Sequence, residues 1–69
     1  MKADIGDLIY VPSEVVLFKK NSSEKNVVKE WKKVEKPTNL LITSIEKGAY
    51  EVYYESEYWL VDEKQVYRA

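Results

Sequence analysis

The sequence contains no cysteine and no histidine, and it has only two glycines and two prolines. Without cysteine, neither a disulfide framework nor a thiolate nucleophile or thiolate-ligated metal site can form. Without histidine, the commonest general base and metal ligand is missing. The two glycines, Gly6 and Gly48, lie far apart, which excludes a glycine-rich phosphate-binding loop. No apolar run exceeds four residues, so we expect no segment that spans a membrane.

The composition that remains is typical of one small globular domain covering residues 1–69. Of the 69 residues, 45 % are hydrophobic and 33 % are charged. A domain of this size buries only about 60 % of its unfolded surface, so its core needs large apolar side chains. Six tyrosines, Phe18, Trp31 and Trp59 can supply them. The polar start of the chain lacks an apolar leader, and we therefore expect a cytoplasmic protein.

The net charge of −1 is unevenly distributed. The segment 19–36 has seven lysines and three glutamates, a net charge of +4, whereas 46–63 has six acids and one lysine, a net charge of −5. One interpretation is that two solvated segments face each other and partly neutralise. The other is a surface with separate basic and acidic patches, suited to head-to-tail association or to two partners.

Short apolar segments with period-two alternation predict an all-β fold. Tyr50, Val52 and Tyr54 fall on one face of a strand, and Tyr53 falls on the other. Gly48 is expected to take a positive φ in the turn that precedes them. A polar stretch at 62–65 predicts one turn of 3₁₀ helix. Further strands are predicted at 8–11, 15–18, 40–45, 58–61 and 66–67, at a spacing typical of a small sandwich or barrel of about five strands.

The segment 23–36 allows two interpretations. Val27, Trp31 and Val34 recur at helical spacing, which predicts one short helix ended by Pro37. An extended arm is the alternative, because Val27 and Trp31 also share one face of a strand. We keep both conformations as hypotheses.

The order of these features resembles an SH3-like barrel, in particular the bacterial SH3 type. Residues 6–11 resemble the opening strand and 19–37 the long first loop. Residues 40–54 resemble the central hairpin, and Tyr58-Trp59-Leu60-Val61 with 62–67 resembles the last strands and their helical turn. Peptide-binding eukaryotic members carry an acidic first loop and paired tryptophans, whereas this first loop is basic and the pair is Tyr58-Trp59. The chain also resembles small phage-encoded proteins, which implies the host cytoplasm as its compartment.

Catalysis finds little support in the residues, so we expect a protein that is not an enzyme. The serines have no histidine to activate them. Glu55 and Glu57, which flank the predicted tight turn at Ser56, are expected to be solvated rather than catalytic. Asp62 and Glu63 lack the spacing of a calcium loop. We therefore predict no catalytic residue, no metal, no cofactor and no small-molecule substrate.

The aromatic cluster at 50–59 is the main candidate for a binding surface. Tyr53 is predicted to point outward, with Tyr58 or Trp59 beside it across the hairpin, whereas Tyr10, Phe18, Tyr50 and Tyr54 are expected in the core. A purely structural role is the alternative, because cross-strand aromatic pairs stabilise sheets. Tyrosine and tryptophan are favoured at binding hot spots, so we predict a non-catalytic module that binds a protein partner or another copy of itself. The predicted partner-binding residues are Tyr53, Tyr58, Trp59, Trp31, Lys29, Lys32 and Lys33.

A single-stranded nucleic-acid-binding protein is the alternative function. The basic loop 19–36 beside an aromatic platform fits that mode of binding. Glu51, Glu55 and Glu57 share the tyrosine strands and would repel phosphate. Trp31 either anchors the long loop to the core or is exposed to a partner.

Overall fold

The computed structural model describes residues 3–20 and 28–69, with side chains for all of these except residues 20, 28 and 29. The described chain is all-β, as predicted, and its strands pair antiparallel. A single turn of 3₁₀ helix, Glu63–Gln65, follows the sixth strand. The strands are β1 (Leu8–Val11), β2 (Val16–Lys20), β3 (Val28–Lys33), β4 (Thr38–Glu46), β5 (Ala49–Tyr54), β6 (Glu57–Asp62) and β7 (Tyr67–Arg68).

The seven strands form one sheet in the order β3-β2-β6-β5-β4-β1-β7. This sheet is open, with β3 and β7 at its two edges. The predicted number of about five strands is too low, because the segment 23–36 contributes β3 in addition to the strands that the sequence predicted. Closure into a barrel is not confirmed.

The long strand β4 belongs to both halves of the sheet. Its first part, Thr38 to Leu41, pairs with β1, and its second part, Ile42 to Glu46, pairs with β5. The register shifts between Ile42 and Ser44, where Thr43 is an extra residue on β4. Such a bulge bends a strand and increases its twist. The two halves thereby share one core.

The core consists of alternate residues from most of the strands, together with residues of three connections. Its aliphatic members are β-branched for the most part, which suits a pleated surface. Among the described residues, no polar or charged side chain is buried. The core cluster contains Ile9, Val11, Val15, Leu17, Val34, Leu40, Ile42, Tyr50, Val52, Trp59, Val61 and Val66.

The described part of the segment 23–36 is extended, so the predicted short helix is wrong there and the extended interpretation is confirmed. β3 pairs with β2, and the hydrogen bonds between these strands satisfy the backbone N–H and C=O groups. In a helix, the same groups would form hydrogen bonds within the segment. A helix would also place Val34 and Trp31 on one face, yet Val34 is fully buried and Trp31 is 69 % exposed. Residues 23–27, including Val27, lie outside the described residues.

The turns follow the sequence pattern closely. Gly48 has a φ of +78° in the β4–β5 turn, as predicted. The predicted 3₁₀ turn is also present, and the Asp62 carboxylate caps it by accepting a hydrogen bond from the Lys64 amide at 2.9 Å. In the described part of the chain, no helix has the length or the apolar character needed to cross a membrane.

Candidate functional site

Strand alternation divides β2, β3, β5 and β6 into an inner face, which covers the core, and an outer face, which is turned away from it. On β6, Trp59 and Val61 are buried opposite Val52 and Tyr50 of β5. The intervening residues of β6, including Leu60, therefore point to the outer face.

One row of directly opposite residues crosses the outer face. Trp31 of β3 lies opposite Phe18 of β2, and Phe18 lies opposite Leu60 of β6, which in turn lies opposite Glu51 of β5. Leu60 is only 7 % exposed although it is not part of the core cluster. The outer face therefore has its own small apolar centre, with Trp31 exposed at its margin.

Tyr53 and Tyr58 form the second aromatic feature of the outer face. They lie directly opposite each other on β5 and β6, with ring centroids 5.1 Å apart and an edge-to-face angle of 67°. Both rings remain about half exposed, which confirms that Tyr53 points outward. A T-shaped pair stabilises the hairpin and still presents aromatic surface to solvent.

Trp59, the third aromatic residue predicted for this surface, lies instead in the core. It is 4 % exposed, and its indole Nε1 donates a hydrogen bond to the Tyr54 carbonyl oxygen at 3.2 Å. The Lys19 Nζ lies 4.6 Å from the centroid of the indole ring and covers it. Because Tyr58 occupies the outer phase of β6, the next residue must point inward.

The other predicted aromatic positions are only partly correct. Tyr50 is buried and Tyr54 packs against the core, as predicted. Tyr10 is 39 % exposed on β1, where it faces Tyr67, so its prediction as a core residue is wrong. Phe18 is half-buried on the outer face rather than in the core. Trp31 is exposed, which excludes its role as a core anchor.

The basic and acidic segments partly neutralise each other. Lys19 forms an ion pair with Glu57, and Lys32 forms one with Glu55. The hydrogen bond from Lys32 to Glu55 raises the pKa of Lys32, although partial desolvation acts in the opposite direction. These contacts support the interpretation of two facing segments.

The two remaining lysines of the predicted site are Lys33 and Lys29. The Lys33 Nζ lies 3.5 Å from a carboxylate oxygen of Glu14, and both side chains are well exposed. The backbone of Lys29 lies in β3, but its side chain is outside the described part of the structure. Lys19, Lys32 and Lys33 therefore each face a carboxylate rather than forming one free basic surface.

Sequence reasoning placed Glu51 beside the tyrosines but missed Glu46, the second carboxylate on the acidic side of the outer face. A groove of about 590 Å³ is lined by Phe18, Lys19, Glu46, Glu51, Glu57, Tyr58, Trp59 and Leu60. The spacing of Tyr58 and Leu60 was a usable signal for this surface, since residues two apart on a strand share a face. Alternation places Glu51 on the face of Tyr53, whereas the position of Glu46 on that face depends on the β4 bulge, for which the sequence gives no local signal.

The Thr43 hydroxyl fixes the Glu51 side chain. Its oxygen lies 2.9 Å from the Glu51 Oε1 and 3.2 Å from the Glu51 carbonyl oxygen. Thr43 is the extra residue of the bulge, so the bulge directs a hydroxyl at this carboxylate. The carboxylate at the edge of the groove is therefore held in a defined orientation.

The carboxylates considered for chemistry have other contacts. Glu55 and Glu57 each bind a different lysine, and Asp62 caps the 3₁₀ turn. Over the described ranges, 3–20 and 28–69, no group of three or more acidic side chains is placed to hold a metal ion.

Comparisons with protein-family models, with curated proteins and with solved structures give no match for this chain. The candidate site is the outer face, where exposed aromatic rings and carboxylates meet.

Proposed function

We propose that this chain is a non-catalytic protein-interaction module that binds its partner through the outer face. The observation that carries the proposal is the grouping of Trp31, Tyr53 and Tyr58 around the buried Leu60. These three aromatic side chains are between 48 % and 69 % exposed on one face of the sheet. Exposed tyrosine and tryptophan around an apolar centre are the composition of interface hot spots.

We also propose that the fold is of the SH3-like type. The element order supports this assignment: an opening strand, a long hairpin of β2 and β3, a three-stranded meander, a 3₁₀ turn and a closing strand. The last strand, β7, returns to pair with β1, and β4 is shared by both halves of the sheet. In this arrangement the outer face is continuous across β3, β2, β6 and β5.

A protein partner fits the charges of the outer face better than single-stranded nucleic acid does. Glu46 and Glu51 lie beside the aromatic side chains and would repel phosphate. Lys19 and Lys32 are engaged by carboxylates of the same chain. Phosphate contacts at these lysines would require that both ion pairs break.

The proposal is tested by selecting a random peptide library against the folded protein. Peptides enriched on the wild type are expected to lose binding to Tyr58→Ala and to Trp31→Ala. Tyr67→Ala is the matched control, because Tyr67 is 60 % exposed but lies on β7, away from the outer face. Equal binding to all three variants, or no enrichment at all, would refute the outer face as the binding surface.

Two further measurements separate the competing ligands. A mobility-shift assay with single-stranded DNA at low and moderate salt is expected to show no complex. A shift that weakens steeply with salt would instead indicate phosphate contacts and favour the nucleic-acid hypothesis. Sedimentation of wild type and Tyr58→Ala across a concentration series tests whether the partner is another copy of the chain.

A further inference from the structure

We propose that the segment bound by the outer face is an extended peptide that places one lysine or arginine side chain in the groove between Glu46 and Glu51. This inference rests on the proposed function and specifies the chemistry of the partner. It is carried by the complementarity between two carboxylates, an apolar floor and a long cationic side chain.

The two carboxylates flank the groove from neighbouring strands. Glu51 lies opposite Ser44, and Glu46 lies opposite Ala49, so Glu46 and Glu51 are diagonal neighbours on the same face of β4 and β5. Diagonal positions are separated by roughly 7–8 Å, which is close enough for two like charges to repel each other. Among the described residues, neither carboxylate lies within 4.0 Å of a lysine or arginine nitrogen.

A cationic group of the partner would relieve this repulsion. Glu51 is prepared for such a contact, because the Thr43 hydroxyl holds its carboxylate at 2.9 Å and so reduces the side-chain freedom lost on binding. The third acid that lines the groove, Glu57, already has Lys19 as its partner. Within the described part of the chain, the carboxylates of the groove without a basic partner are therefore Glu46 and Glu51.

The apolar floor of the groove suits the stem of the same side chain. Leu60 and Phe18 border the groove and can pack against the methylene groups of lysine or arginine. The half-exposed Tyr58 ring can add a cation–π contact. A small inorganic cation could use the carboxylates but not this floor, which favours an organic cation on a flexible stem.

The position of the groove also favours a peptide as the carrier of that cation. From the groove, the row of opposite residues continues through Phe18 to the exposed Trp31. Apolar residues on one side of the basic side chain could therefore contact this row. We expect a binding motif in which one basic residue is flanked by apolar or aromatic residues.

The first test uses a minimal probe, N-acetyl-arginine methylamide, in a ¹H–¹⁵N titration. Saturable shifts are expected at the amides of Glu46, Glu51 and Leu60, and the matched neutral citrulline amide should not cause them. Glu46→Gln and Glu51→Gln should each weaken the arginine probe about fivefold, because each removes one partly exposed charge contact. Glu63→Gln is the control, since Glu63 lies outside the groove and should change nothing.

The second test repeats the peptide selection with the doubly substituted Glu46→Gln, Glu51→Gln protein. Enrichment of lysine and arginine on the wild type, and its loss on the double variant, would support the inference. Peptides that require Tyr58 and Trp31 but carry no basic residue would overturn the inference and leave the proposed function standing. Equal shifts by arginine and citrulline probes, or none, would also overturn it.

Discussion

The rings of Tyr53 and Tyr58 meet edge to face across the β5–β6 hairpin, with their centroids 5.1 Å apart. Each ring leaves about half of its surface in solvent, so the pair is both a structural contact and a presented surface. This double role connects the stability of the hairpin with the binding surface that we propose.

A double-mutant cycle at this pair should give a measurable coupling energy. Tyr53→Ala, Tyr58→Ala and the double variant are compared with wild type by urea unfolding. We expect a coupling of about 0.5–1.5 kcal/mol, the range of edge-to-face aromatic pairs. Tyr53→Ala combined with Tyr67→Ala is the control cycle, and it should be additive. Additivity at Tyr53 and Tyr58 as well would mean that the rings do not interact in solution.

The two tryptophans should respond very differently to substitution. Trp31→Ala should change the free energy of unfolding by less than about 0.5 kcal/mol, since the side chain is 69 % exposed. Trp59→Ala should cost about 3–5 kcal/mol, because it leaves a cavity in the core. Circular dichroism during thermal unfolding measures both. A large loss with Trp31→Ala would place that residue in a packed environment and contradict its exposure.

The β5–β6 turn offers a stabilising substitution. Glu55 and Ser56 both have positive φ, +49° and +67°, a conformation that suits asparagine and glycine in two-residue hairpin turns. Ser56→Gly should stabilise the fold by about 1 kcal/mol, the approximate cost of a left-handed conformation for a residue with a Cβ. Ser44→Gly, in the extended β4, should instead destabilise it. Equal effects of both glycines on the unfolding midpoint would contradict the turn geometry.

The titration of Lys32 should depend on Glu55. The hydrogen bond to Glu55 raises the pKa of Lys32 above its ordinary value of 10.5. The stabilisation by this pair is therefore present below pH 10.5 and is lost as the pH rises through the higher folded-state pKa of Lys32. Glu55→Gln should lower that pKa, as followed by the ¹³Cε shift of Lys32. Glu57→Gln should lower it less, since Glu57 is the weakest contributor.

The sequence predicted most strands but not the side on which some aromatic residues lie. Alternation predicts that Tyr53 and Val52 point to opposite faces of β5, and the structure confirms this prediction. For Tyr58 and Trp59, alternation requires only that the two side chains point to opposite faces. The pairing of Trp59 with Val52 decides which of them points outward. Such pairing is a long-range property that no local pattern contains.

Two other features of the candidate site depend on long-range pairing in the same way. Trp31 in β3 and Val34 just after it have a spacing that suits a helix, and only pairing with β2 makes this segment a strand. The bulge at Thr43 shifts the register of β4 against β5 and so places Glu46 on the same face as Glu51. Local sequence propensity does not decide between helix and strand near Trp31 or between the two registers of β4, so tertiary contacts decide both.

The shared strand β4 has a consequence for how the domain unfolds. Detaching β1 exposes backbone groups at one end of β4, and detaching β5 exposes those at its other end, while both losses open the same core. A partial opening of either half thus removes support from the other. The amide protons of Leu40 and Ile42, on either side of this junction, should exchange with solvent only through global unfolding, and their protection factors should match each other.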